Sequence, residues 1–179
     1  MLAKVAIALA VAAAGLAAVV AMQPSRFRIT RSAAITAPAE RLFAQVNDLR
    51  RWEAWSPWLK GDPGARMAYE GPPAGPGAVF TWSGNRNVGE GRMTITESRP
   101  DEIVRLRLDF MRPMSSTSTA EFTFSPDGNQ TLVTWRMSGD KNFLAKAVHM
   151  AIDMDKMIGA RFDEGLAQMK AIAEGKAGS

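Results

Sequence analysis

Cysteine is absent from the 179 residues, and with it go disulfides, thiolate catalysis and every zinc site built on sulfur. Such a chain carries no redox mark, so either side of a membrane is open to it. Histidine is nearly absent: His149 is the one imidazole, which excludes metal sites needing two histidines and leaves no second imidazole for a nucleophile and base pair. It stands between Val148 and Met150 in a stretch of helical character, where a structural or surface role outweighs a catalytic one. Runs of one charge are also missing. The formal charge is +4, but 22 Lys and Arg are interspersed with 18 Asp and Glu, and no basic cluster offers a surface to nucleic acid.

The composition that remains, 46% apolar and 22% charged, is that of a folding globular chain rather than a disordered one. From Val5 to Met22 no charged or strongly polar residue occurs, and the segment ends at Gln23 and Pro24. An apolar run of this length approaches the roughly 20 residues that span about 30 Å of hydrocarbon as a helix. Residues 1–24 therefore read as a membrane anchor, with the membrane contacted through residues 5–22. The alternative is a cleaved secretory signal, since Val19 and Ala21 form a small-residue site before Met22.

Residues 25–174 read as one domain and 175–179 as a disordered tail. Phe27, Ile29, Ala33 and Ile35 alternate with polar or small neighbours, the period of a half-buried strand, with Arg31 on the inward phase. Pro38 opens a short helix and Leu49 to Trp58 a second, ended by Pro57. Beyond a Gly/Pro-rich stretch holding a strand at Met67 to Tyr69 come strands at 78–82, 92–97, 102–110, 117–124 and 131–137, separated by turn signals. Their inward phases carry Phe80, Trp82, Met93, Phe110, Phe122 and Trp135, and their outward phases Arg92, Arg105, Arg107, Asp109, Glu121 and Arg136 as cross-strand partners. Met154, Met157, Ile158, Phe162, Leu166, Met169 and Ile172 then recur at spacings of three and four, predicting a long amphipathic helix that covers the sheet.

This order, with WEAWSPW at 52–58, GEGRMTITESRP at 89–100, VTWRMSGDKNF at 133–143, DMDKMIG at 153–159 and FDEGL at 162–166, resembles the START-like, or SRPBCC, superfamily. Within it the chain is similar to the bacterial polyketide cyclase/dehydrase subfamily, where an N-terminal membrane segment is common. The resemblance implies an α+β helix-grip fold: a curved antiparallel seven-stranded sheet around a long C-terminal helix, with two short helices after the first strand and a separate N-terminal apolar helix. It also implies an apolar cavity, used by different members for lipids, sterols, polyketides, plant hormones and quinones. Fold does not carry function with it.

The candidate ligand-binding residues are Trp55, Trp58, Phe80, Trp82, Met93, Phe110, Trp135, Met157, Phe162 and Arg31. Tryptophans three apart are either core packing for the short helices or a pocket wall, and a Met-rich helix over sheet aromatics is either solid core or a cavity of forgiving shape. An inward arginine must be paired or reach water. It is either an anchor for a ligand carboxylate or phosphate, or the partner of an acid on the closing helix. No catalytic set, metal or cofactor is expected. Asp153 and Asp155, two apart on a helix, point in different directions. Three functions stand: a membrane-tethered binding domain for an apolar small molecule, a cyclase or dehydratase type of enzyme, and a protein-interaction domain with a filled core.

Overall fold

The computed structural model describes residues 1–58, 62–86 and 88–176. The last residues of the expected tail, 177–179, lie outside the described residues, and 175–176 follow Glu174, the C-cap of the last helix.

Helix α1, Leu2–Met22, stops at Gln23, whose extended backbone fits the residue before a proline. Among its residues only Val20 is buried. Strand β1, Arg26–Ile35, leads to α2, Ala39–Asn47, with Pro38 as its extended N-cap residue, one position earlier than a first-turn proline. The Asp48 side chain accepts the Arg50 N–H at 3.0 Å and starts a 3-10 turn, Leu49–Arg51, that runs into α3, Trp52–Trp55. Ser56 is extended, as the residue before Pro57 must be, and the helix ends there.

Six further strands follow: β2 Arg66–Glu70, β3 Val79–Ser83, β4 Glu90–Arg99, β5 Ile103–Arg112, β6 Ser116–Asp127 and β7 Gln130–Asp140. They form one antiparallel sheet in the order β1-β7-β6-β5-β4-β3-β2. Residues directly opposite one another share a face, so the register fixes rows across the sheet. One row on the concave face runs Arg31, Trp135, Phe122, Val104. The next but one toward the far end runs Phe80, Met93, Leu108, Ser118, Gly139, Phe27, and the end row Met67, Trp82, Gly91, Phe110.

On the other face the charges pair across strands. Glu121 receives Arg105 at 2.7 Å from β5 and Arg136 at 2.8 Å from β7, and Arg105 also reaches Glu97 on β4.

The C-terminal part is two helices, the second of them the long helix expected from the 154–172 spacing. α4, Phe143–Ala151, is capped by Asn142 accepting the Ala145 N–H at 2.8 Å. α5, Met154–Ala173, is capped by Asp153 accepting the Lys156 N–H at 3.0 Å. Two side-chain caps eleven residues apart require a break, and extended Ile152 supplies it. α5 closes the sheet with Phe162, Leu166, Met169 and Ala173, all buried. α4 buries none of its residues and packs beside the last turn of α1, where Lys146 Nζ donates to the Ala21 carbonyl at 3.0 Å.

Candidate functional site

The concave face has a sealed half and a more open half, and the difference lies in side-chain size. In the sealed half Trp135 and Phe162 stack with ring centroids 4.1 Å apart and planes within 4°. Phe122 stacks on Trp135 at 4.7 Å, and Trp52 and Trp55 meet both edge-on. Helix α5 comes this close because residue 165 is glycine: a Cβ there would stand 3.0 Å from the Trp135 ring. The indoles of Trp52 and Trp55 donate to the carbonyls of Val46 and Gln45, at 2.9 and 3.2 Å. Trp135 Nε1 is buried and has no partner among the described residues.

In the open half the floor is lined by small residues. Ser118 and Gly139 occupy the β6 and β7 positions of the row that holds Phe80, Met93 and Leu108, with Ser118 buried and the Phe27 ring over Gly139. At the end row the Trp82 ring lies over Gly91, where any Cβ would overlap it, and meets Phe110 edge-on at 5.9 Å. Phe80 and Met93 are buried, while Trp82, Leu108 and Phe110 are only partly covered. Trp58, 41% exposed, stands edge-on to Trp135 and Phe162 at the edge of the sealed half.

The ten residues picked from the sequence thus divide. Trp55, Trp135 and Phe162 belong to the sealed aromatic block, with Trp58 at its edge. Phe80, Trp82, Met93 and Phe110 line the open half. Met157 is 52% exposed and lies outside both, because the buried stripe of α5 runs through Phe162, Leu166 and Met169.

Arg31 reaches α5. Its guanidinium contacts Asp155 at 3.0 Å and Asp163 at 3.3 Å and also donates to the Asp155 carbonyl at 3.1 Å. These bonds, Asp155 first, hold its pKa above the usual guanidinium value. The acid on the closing helix is therefore its partner, and with both carboxylates committed Arg31 is an ion-pair tie.

Two open grooves flank β1. One, of about 560 Å³, is lined by Phe27, Arg28, Lys141, Lys146, His149 and Ile152 among others. The second, of about 510 Å³, lies over Arg28, Thr119 and Ser138. None of the ten residues lines either groove. Sequence reading missed the first because it depends on where α4 packs. His149, on its wall, has its pKa pushed down by burial and by nearby Lys141, and its ring lies 5.8 Å from that of Phe27.

The concave face is lined mainly by apolar side chains. Its inward positions on β3 to β7 carry no carboxylate and no imidazole. Among the described residues no three His, Asp or Glu side chains gather as metal ligands.

A family profile described as "Polyketide cyclase / dehydrase and lipid transport" matches residues 26–174. The chain belongs to this family. No curated protein matches it. Among solved structures it is similar to the Aha1 dimer from Colwellia psychrerythraea, at 17% identity over 85% of this chain and 99% of that one, with a TM-score of 0.61. Protein CV1439 from Chromobacterium violaceum gives 17% identity, the same coverages and 0.59. The di-domain ARO/CYC StfQ from the steffimycin biosynthetic pathway gives 13% identity over 86% of this chain and 52% of that one, at 0.62. At such identities these likenesses establish the fold, an α+β helix grip, and leave activity to the site itself.

Proposed function

We propose that this family member binds an apolar small molecule, lipid or polyketide-like, on the open half of its concave face, and that α1 tethers it to a membrane. The observation that carries the binding is the contrast between the halves. Trp82, Leu108 and Phe110 form an apolar wall only partly covered, whereas Trp135 and Phe162 close the rest. Pockets for small molecules combine apolar walls with a few polar groups. The family's description, which includes lipid transport, fits this reading. The absence of carboxylate and imidazole from the inward positions favours binding over acid–base chemistry.

The tether rests on α1, the described helix long and apolar enough to cross a membrane, with almost none of its surface buried in the protein. The N-terminal residue of protein taken from membranes separates an anchor from a signal. An anchor leaves the chain beginning at or near Met1, and cleavage after Ala21 leaves Met22 and removes the tether reading.

The core cluster contains no residue of α1, so a chain starting at Ser25 keeps its whole core. Titrated with cis-parinaric acid, it should take up the fatty acid saturably and lose tryptophan emission in proportion. No uptake, together with a stability loss of about 3–5 kcal/mol on Trp82→Ala, would leave a filled interaction domain in place of the carrier.

A further inference from the structure

The feature this reading leaves unexplained is α4. Phe143, Ala147 and Met150, with Leu144 and Ala151 beside them, fall on one side of the helix by their spacing of three, four and seven. Phe143 is 55% and Leu144 58% exposed, and Met150 and Ile152 are exposed too. A contiguous apolar stripe of this kind marks a contact surface. From residue 141 to 152 there is no acid, and the charges are those of Lys141 and Lys146.

What covers the stripe follows from α1. Its 21 residues measure about 31 Å at 1.5 Å per residue, against roughly 30 Å of hydrocarbon. To span, the helix must be immersed to its last turn. That turn holds the buried Val20, and α4 packs against α1 and bonds its Ala21 carbonyl. Three residues, Gln23 to Ser25, then lead into β1, and the Lys141 N–H donates to the Ser25 carbonyl at 2.7 Å, so the start of α4 is fixed to the same level.

We infer that α4 lies in the interfacial layer of the bilayer that α1 crosses, with Phe143, Leu144, Met150 and Ile152 against the acyl chains. This rests on the tether reading. Arg28, Lys141 and Lys146, which line the groove between β1 and α4, stand at headgroup level, where a cation-rich rim is attracted by anionic lipid. The acids on that groove are Asp153 and Asp155. The first caps α5 and the second is held by Arg31. The domain is thereby held flat on the membrane rather than swinging on α1.

Because the chain has no cysteine, single cysteines can be placed at will. The full chain, one copy per nanodisc of equal phosphatidylcholine and phosphatidylglycerol, would carry an environment-sensitive fluorophore at Leu9→Cys, Phe143→Cys, Ala147→Cys, Met150→Cys or Ser125→Cys. Ala147→Cys leaves the large stripe residues in place, and Ser125 is exposed on β6, at the end of the sheet away from Arg26. Lipids bearing a nitroxide on the acyl chain should quench positions 143, 147 and 150 several-fold more than 125. If position 9 is quenched while 143, 147 and 150 behave like 125, α1 is inserted and the docking of α4 is wrong. If position 9 escapes quenching, the tether and the docking fall together. Shielding of the stripe only when two chains share a disc would assign it to a second copy and overturn the proposal.

Discussion

The guanidinium of Arg31 fills the space over Gly159 that any Cβ there would need, and Asp155 and Asp163, one turn to either side on α5, complete its cage. A cation on an inward strand position is thereby satisfied at the rim of the core, and the first strand is tied to the closing helix. Gly159→Ala should cost about 1–3 kcal/mol, because the added methyl displaces the guanidinium from both carboxylates. In an Arg31→Ala background the same change should be neutral or stabilise by up to about 1 kcal/mol, the usual gain of alanine over glycine within a helix. Urea midpoints of the four chains give the cycle. A loss that persists without Arg31 would show that the glycine is required for another reason.

Trp55 and Trp82 should respond in opposite ways to truncation. Trp55 is fully buried with its N–H bonded to Gln45, so Trp55→Ala should cost about 3–5 kcal/mol. Trp82 is partly covered and lies on the open half, so Trp82→Ala should cost less while weakening an apolar ligand tenfold or more, about 1.4 kcal/mol. Fatty-acid titration and urea unfolding on the same samples check both numbers.

Glu174, at the end of α5, accepts the Thr36 backbone N–H at 3.0 Å. That bond first, then Lys176, lowers its pKa from the ordinary 4.5 to about 2. The group therefore contributes stability above pH 4.5, and the contribution is lost as pH falls toward 2. Glu174→Gln should be less stable than the parent at pH 6, with the gap narrowing as the pH drops to 2. A gap that stays constant with pH would mean that the carboxylate charge is not what stabilises.

Much of the fold was legible in the sequence because strands with one buried face alternate strictly, and the register then follows from short turns. The inward phase of Phe80, Trp82, Met93, Phe122 and Trp135 is visible in that alternation alone. The helical character around His149 was legible too, but the placement of α4 was not, because its apolar residues face away from the core and spacing cannot say which side of a helix is covered. The same limit applies to Met157. It adjoins Ile158 in the sequence, and either could continue the apolar stripe until the packing of α5 turns one toward the core. Arg31 was recognisable as an inward charge, but its cage requires three residues of α5 spaced four apart to meet β1, which is a property of the packed pair. The sealed half of the concave face depends on Gly165, a small residue that gives no signal until α5 is packed against Trp135.

On the outer face Glu121 is the residue on which the charge network converges. It sits directly opposite both Arg105 and Arg136, its side chain is 16% exposed, and it bonds both guanidinium groups. Removing the carboxylate leaves two cations facing each other across β6, whereas removing either arginine leaves the carboxylate with the other. Glu121→Ala should therefore destabilise by about 1–3 kcal/mol, more than Arg136→Ala, whose exposed half of the pair is worth about 0–1 kcal/mol. Arg105→Ala should fall between, because Arg105 also binds Glu97. Added salt should shrink the differences by screening the exposed members. Equal losses for the three variants in low salt would mean that each side chain acts by its own packing on the sheet, and that the carboxylate is not the hub.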